Sequence, residues 1–341
     1  MKKIVIDENI PFLRGLLEPW FDVVYANRID AESVRDAEAL LIRTRTRCDE
    51  KLLAGSAVRF IGTATIGFDH IDTVYCAARG IEVATAAGCN ARAVMQYLAS
   101  ALVHLSRRQG WTPEEKTLGV IGVGHVGSLA AELGRACGFR VVCCDPPKMR
   151  RDPSLGYLAR EELLEQADIV TCHVPLNKAG IDQTLRMVDA SFLNRMQPGA
   201  LFINTSRGEI VDKEALKAAI RSGHLSGAVL DVWNHEPAID PEMAALATYG
   251  TVHIAGYSIQ GKANGSSMVV QALARKYGLP LTDWVPEGVP PQVTDRPVSW
   301  DMLQRTIDNY FNIETEDARL RGRTDRFEEL RNNYQYREEY F

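Results

Sequence analysis

Three polar residues stand at the ends of apolar, strand-like runs in this chain: Arg207 in "INTSRGEIVD", Glu236 in "LDVWNHEP" and His253 in "GTVHIAGYS". As a set they suit oxidation of a secondary alcohol, which removes a hydride from carbon and a proton from oxygen and so needs a general base at the hydroxyl. Imidazole is a base of the right strength, which makes His253 the candidate. A carboxylate on its other ring nitrogen fixes the tautomer and stabilises the imidazolium, the part assigned to Glu236. Arg207 can grip a substrate carboxylate with paired hydrogen bonds and orient the adjacent alcohol. Taken singly, each residue has an ordinary reading: Arg207 as a neutraliser of a helix or phosphate, Glu236 before Pro237 as a solvated loop carboxylate, and His253 as a core histidine with His235 as its rival.

Such an oxidation needs a hydride acceptor, and "TLGVIGVGHVGSLAAELGRACGFRVVCCDPP" supplies the place for one. Gly122, Gly124 and Gly127 follow a strand-like run and open a helical pattern carrying Val126, Leu129, Leu133 and Cys137, with Gly138 placed to end it. In a dinucleotide fingerprint the first glycine makes the tight turn, the second lets backbone amides approach a pyrophosphate, and the third lets helix and strand pack closely. Asp145 follows about twenty residues on, where a carboxylate accepts from ribose hydroxyls and repels a 2′-phosphate. NAD is therefore favoured over NADP, with Lys148, Arg150 and Arg151 as the residues that pull the other way.

These residues must be held by something, and the chain alternates strand-like runs with helical patterns almost throughout. "KKIVID", "FDVVYA", "ALLIR", "RFIGTAT" and "IEVATA" form a first series; "TLGVIG", "RVVCCD", "DIVTCHV", "ALFINT", "GAVLDV" and "TVHIA" form a second. That rhythm predicts two α/β domains, each a doubly wound parallel sheet, whose strand ends frame ligand crevices. The spacing predicts a helix over 91–108 between the two series. Beyond Gly278 a proline-rich connection leads to a tail dense in Arg, Asp and Glu. In "LLIRTRTRC", Arg43, Arg45 and Arg47 recur at period two, so a continuing strand would project all three on one face, where they suit a phosphate dianion. Charge that keeps a strand edge from aggregating is the competing reading.

Composition narrows the partners. The 341 residues include 39 Lys and Arg against 44 Asp and Glu, a formal net charge of -5 that gives no global field for nucleic acid or an anionic membrane. The opening "MKKIVIDENI" is too short in apolar residues for a secretory signal, and no apolar run reaches spanning length. Seven scattered cysteines without metal spacing read as free thiols of a reducing cytoplasm, and no metal is expected.

The motifs "GVIGVGHVG", "NTSRGEIVD", "LDVWNHEP" and "HIAGYS" together resemble the D-2-hydroxyacid dehydrogenase family over about residues 1 to 275. The resemblance implies Rossmann-like and flavodoxin-like domains: a substrate-binding domain of 1–90 plus about 258–280, and an NAD-binding domain of 91–257, with the site in the cleft between them. It implies Arg207, Glu236 and His253 as catalytic residues. It marks Asp145, Val174, Thr205, Ser206, Arg207, Asp231, Gly256 and Tyr257 as cofactor contacts, with Thr44 and Thr65 as substrate contacts beside Arg43 and Arg45. Val174 stands where many relatives have threonine, so only a backbone contact carries over there. "CDPP" and "HIAGYSIQGKANGSS" are most similar to family members that oxidise a phosphorylated four-carbon D-2-hydroxyacid on the route to pyridoxal phosphate, and "FEELRNNYQYREEYF" resembles their small α+β C-terminal dimerisation domain, here 281–341. A homodimer is implied. A 3-phosphoglycerate or other D-2-hydroxyacid dehydrogenase is the first alternative, and an NAD-sensing, corepressor-like interaction protein the second.

Overall fold

The computed structural model describes residues 1–293 and 297–341; residues 294–296, in the proline-rich connection, lie outside them. The chain divides into two compact units, Met1–Asn90 with Ser258–Pro291 and Ala91–Tyr257 with Gln292–Phe341.

In the first unit β1 (Lys2–Asp7), β2 (Phe21–Ala26), β3 (Ala37–Ile42), β4 (Phe60–Thr63) and β5 (Glu82–Thr85) form one sheet in the order β2-β1-β3-β4-β5, every pair parallel. This is the flavodoxin-like order. β4 is buried along its whole length and β3 along nearly all of it, so both read as apolar runs without alternation. The helix Ile259–Tyr277 belongs to this unit; Ser258 caps its start, accepting from the Gly261 amide at 2.9 Å, and Gly278 ends it at φ +68°. Its Val269, Val270 and Leu273 pack with Ile4, Ile6, Leu41 and Phe60.

The period-two reading of Arg43, Arg45 and Arg47 fails here. β3 stops at Ile42, the Thr46 amide donates back to the Arg43 carbonyl, and Cys48 bonds to the His70 carbonyl instead of continuing the sheet. Arg43 turns to Asp7 (Nε to Oδ2, 3.1 Å) and Arg47 to Asp49 (2.8 Å), so the three do not share a strand face.

The second unit holds β6 (Thr117–Ile121), β7 (Arg140–Cys144), β8 (Ile169–Cys172), β9 (Ala200–Asn204), β10 (Leu225–Leu230) and β11 (Tyr249–Gly250), in the order β11-β10-β9-β8-β6-β7 and again all parallel. Chain direction across the sheet reverses between β6 and β8, the switch point at which such sheets bind ligands. The helix predicted at 91–108 spans Ala91–Gln109 and is buried through most of its length. Helix Arg160–Gln166 lies directly on β6: a Cβ on Gly119 would stand 2.7 Å from Leu163 Cδ2 and 2.8 Å from Ala167 Cβ.

The run "TVHIA" is not a strand. β11 covers Tyr249–Gly250 only, and His253 lies beyond it in the left-handed region at φ +59°. The C-terminal stretch also differs from the small α+β domain expected over 281–341. Among the described residues it forms the helices Trp300–Tyr310, Ile313–Leu320 and Phe327–Asn332 with no strand of its own. Leu303, Ile307, Phe311, Ile313, Leu320, Phe327 and Phe341 join the apolar core of the second unit. Arg321 secures the stretch, donating to the carbonyls of Ala247 at 2.7 Å and Thr248 at 3.0 Å.

All seven cysteines are buried, and burial pushes the thiols of Cys48, Cys137 and Cys144 up to about 12. Among the described residues no helix is long and apolar enough to cross a membrane. Because Gly119 has no room for a methyl group, Gly119→Ala is expected to lower the unfolding free energy by about 1–3 kcal/mol through overpacking. The urea midpoint reads this directly, and an unchanged midpoint would mean that helix Arg160–Gln166 shifts without cost.

Candidate active site

Immediately after β10 the buried Asp231 carboxylate gathers the chain around His253. Its Oδ1 accepts from Thr251 Oγ1 at 2.6 Å and from the Ile254 amide at 2.8 Å, its Oδ2 from the Ala255 amide at 2.9 Å, and its carbonyl from the His253 amide at 2.8 Å. These bonds bend the backbone into the left-handed turn at His253. A left-handed non-glycine residue costs on the order of 1–3 kcal/mol, less than several hydrogen bonds to a carboxylate return at about 1.5–3 kcal/mol each.

The turn presents the imidazole to Glu236. His253 Nδ1 lies 2.7 Å from Glu236 Oε2, while Glu236 Oε1 accepts from the Trp233 amide at 2.9 Å. With Nδ1 donating to the carboxylate, the lone pair resides on Nε2, the nitrogen that can take a substrate proton. Burial pushes the Glu236 carboxyl up, but attraction to His253, the hydrogen bond from it, the Arg331 charge and the Trp233 amide outweigh burial and hold the group below its ordinary value. His235, the rival base, sits in the same loop with φ +62°; the carboxylate pairs with His253.

Arg207 occupies the turn after β9. Asn204, fully buried, shapes it: its Oδ1 accepts from the Ser206 amide (3.0 Å) and Oγ (2.8 Å), and its Nδ2 donates to the Arg207 carbonyl at 2.9 Å. The next residue makes a close backbone approach. A Cβ on Gly208 would fall 2.0 Å from the carbonyl carbon of Trp233, so glycine is what lets the Arg207 turn rest on the strand-end loop that holds Glu236. Trp233 in turn donates from Nε1 to the Thr251 carbonyl at 2.8 Å, linking that loop to the His253 turn. Arg207, Glu236 and His253 are thus carried by three neighbouring strand ends braced on Trp233.

The glycine fingerprint lies at the turn from β6 into helix His125–Ala136. Gly122 has φ +85°, and a Cβ there would lie 2.6 Å from the His173 carbonyl oxygen and 2.7 Å from Val174 Cγ1, which places Val174 across the switch point from it. Gly124, at the start of helix His125–Ala136, has open space where a Cβ would stand, while a Cβ on Gly127 would fall 1.8 Å from the Gly122 carbonyl oxygen. An open second glycine at a helix start and a close-packed third fit a pyrophosphate. Asp145 closes β7, with Oδ2 accepting from the Val123 amide at 2.9 Å and Oδ1 from Lys148 at 3.0 Å, and its remaining lone pairs suit ribose hydroxyls. The three basic residues behind it are all engaged: Lys148 Nζ donates to the Val123 carbonyl, Arg150 to Asp182 and Arg151 Nε to the Pro147 carbonyl at 3.2 Å. The residues present therefore fit NAD; Thr205 and Ser206 follow β9, and Gly256 and Tyr257 follow the His253 turn. Beside Thr205, His173 is held neutral because burial lowers it to about 4.

In the first unit, Thr44 and Arg45 lie exposed in the turn after β3, beside the Arg43–Asp7 pair. Thr65 Oγ1 bonds to Thr63 Oγ1 at 2.8 Å and donates to the Gly67 carbonyl at 3.1 Å.

Sequence reasoning missed Asn204, Trp233, Arg331 and Arg337, and it saw Asp231 only as a cofactor contact. Asn204 and Trp233 stood inside motifs already singled out, while the two arginines were hidden in a tail read by its charge. Arg337, nearly fully buried, donates to the carbonyls of Ala93 (2.9 Å), Ile254 and Tyr257 (both 3.1 Å) and Ala255, fastening the segment that follows His253.

The fold and site define a dehydrogenase of the 2-hydroxyacid class: a family model of the D-isomer specific 2-hydroxyacid dehydrogenase, NAD binding domain, matches residues 90–255. A solved structure of D-lactate dehydrogenase from Aquifex aeolicus, complexed with NAD and lactic acid, superposes with a TM-score of 0.68 at 26% identity, covering 81% of this chain and 96% of that one. Erythronate-4-phosphate dehydrogenase of Bacteroides fragilis is 43% identical over 340 residues, 99% of this chain and 97% of that protein. The enzyme of the same name from Cronobacter sakazakii is 39% identical over 348 residues, 99% of this chain and 92% of that protein. The chain belongs to the erythronate-4-phosphate dehydrogenase family.

Asp231→Asn replaces an acceptor of three donors by a group that itself donates. It is expected to lower stability by about 1–3 kcal/mol for the unpaired buried group and to reduce turnover, since the turn at His253 loses its anchor. Thermal unfolding and kcat measured on the same preparation check this; full activity would mean the turn holds without the carboxylate.

Proposed function

We propose that this protein oxidises 4-phospho-D-erythronate to (R)-3-hydroxy-2-oxo-4-phosphooxybutanoate, using NAD, in the biosynthesis of pyridoxal 5′-phosphate. The 2.7 Å pair of His253 Nδ1 and Glu236 Oε2, braced on the same Trp233 that supports the Arg207 turn, carries the oxidation chemistry, and the 43% identity over 99% of the chain to the Bacteroides fragilis erythronate-4-phosphate dehydrogenase carries the choice of substrate. Arg207 binds the substrate carboxylate and fixes the C2 alcohol. His253 accepts the hydroxyl proton on Nε2, and Glu236 stabilises the imidazolium so formed. NAD, when bound, supplies the acceptor for the hydride leaving C2. The products are the 2-oxoacid, NADH and one proton. Thr44, Thr65, Arg43 and Arg45 are assigned to the substrate. The likeness of the tail to a dimerisation segment favours a homodimer, and seven scattered, buried cysteines suit a reducing cytoplasm.

With the purified protein and NAD, oxidation of 4-phospho-D-erythronate is expected to exceed that of 3-phosphoglycerate, with a 2-oxoacid added in parallel to reoxidise bound cofactor. Preference for phosphoglycerate would move the substrate assignment, and NAD binding without turnover of either acid would favour a sensing role. His253→Ala is expected to lose about 10²–10⁴ in kcat with NAD affinity kept; near-normal turnover would remove His253 from the mechanism. Asp145→Ala should narrow the NAD over NADP preference, and an unchanged preference would count against its ribose role.

A further inference from the structure

Beyond the Arg, Glu and His set, a fourth charged side chain reaches the same carboxylate. Arg331, on the short helix Phe327–Asn332 of the C-terminal segment, places Nη1 3.8 Å from Glu236 Oε2, the oxygen that also bonds His253. Both side chains are largely shielded, with 19% and 18% of their surface exposed, so solvent screens this pair less than a surface bridge. The guanidinium also lies 5.8 Å from the centre of the Tyr257 ring, and its helix is anchored by the fully buried Phe327. Arg337, further along, grips the carbonyls of Ile254 and Tyr257, so the segment is tied to the His253 turn at two points.

We propose that Arg331 is a positioning residue for the Glu236–His253 pair, holding the carboxylate in place and setting the pH at which the pair takes up a proton. The inference rests on the catalytic reading of that pair. A fixed cation beside two groups that share a proton disfavours protonation of either, so it keeps the pair in its base form to lower pH. The depressed Glu236 carboxyl, to which Arg331 contributes, accords with this. The other titratable groups on elements packed against the pair are Asp231 and His235 in the loop after β10, Arg207 after β9, Tyr257 after the His253 turn, and Tyr334 and Arg337 in the C-terminal segment. Asp231 is engaged with backbone amides and Thr251, and Arg337 with carbonyls, whereas Arg331 is directed at the carboxylate.

The test uses the full chain and compares wild type, Arg331→Gln and Arg331→Lys. In Arg331→Gln the acidic limb of kcat/KM for alcohol oxidation should move up by about 0.5–1 pH unit, with the KM for NAD unchanged, while Arg331→Lys should keep the limb near its wild-type position. A limb that stays in place in Arg331→Gln overturns the proposal. A large rise in substrate KM without a limb shift also overturns it, and assigns Arg331 to a substrate anion instead. Titration of the ring signals of carbon-13-labelled histidine, with His253→Gln to assign the signal, gives a second readout that needs no turnover: the His253 signal should titrate at higher pH in Arg331→Gln, and coincident curves overturn the proposal. Should His253→Ala keep near-normal turnover, the catalytic reading fails by itself, and the ring titration still decides whether Arg331 acts on the pair.

Discussion

The geometry of the active site depends on one buried carboxylate. Asp231 is 1% exposed, and its oxygens take two backbone amides and a hydroxyl from the segment just beyond β11. An ionised group removed from water must find such partners, since leaving it unpaired costs several kcal/mol. Here the partners all lie on Thr251–Ala255, so satisfying the charge also dictates the path of that segment. The His253 imidazole is therefore held where it is by a carboxylate that does not itself touch it, and its tautomer follows from what the resulting turn brings within reach.

The neighbouring loops obey close-packing more than charge. Gly208 rests on the Trp233 backbone, and the Trp233 indole reaches the Thr251 carbonyl, so movement of any one of the three strand ends would break contacts with the other two. Asn204 performs locally for Arg207 what Asp231 does for His253, pairing each of its polar atoms with the turn it shapes. Well-satisfied polar groups of this kind hold a site in register without contributing to the chemistry.

Most strands were legible because parallel strands buried on both faces leave uninterrupted apolar runs, and β1, β6 and β9 fall where such runs predict them. The catalytic candidates were legible for a related reason: a charged residue directly after a buried strand has few ordinary explanations. What failed was continuity. "TVHIA" is apolar enough to extend a strand, yet the Asp231 side chain, 23 residues before Ile254, accepts from that residue's amide and ends it. The alternating arginines after Ile42 met the same fate when a turn and an ion pair with Asp7 replaced the expected face. The tail resisted reading because arginine looks alike in sequence whether it faces water or, like Arg337, lies buried against backbone carbonyls.

The burial of every thiol has a practical consequence. A thiolate, not a thiol, reacts with maleimides, and cysteines that are both enclosed and held protonated by burial are slow to label. The folded chain thus offers a quiet background for fluorescence, so that a cysteine introduced at the exposed ring position of Tyr336 would carry nearly all of an attached dye and report on the C-terminal segment from a single known place.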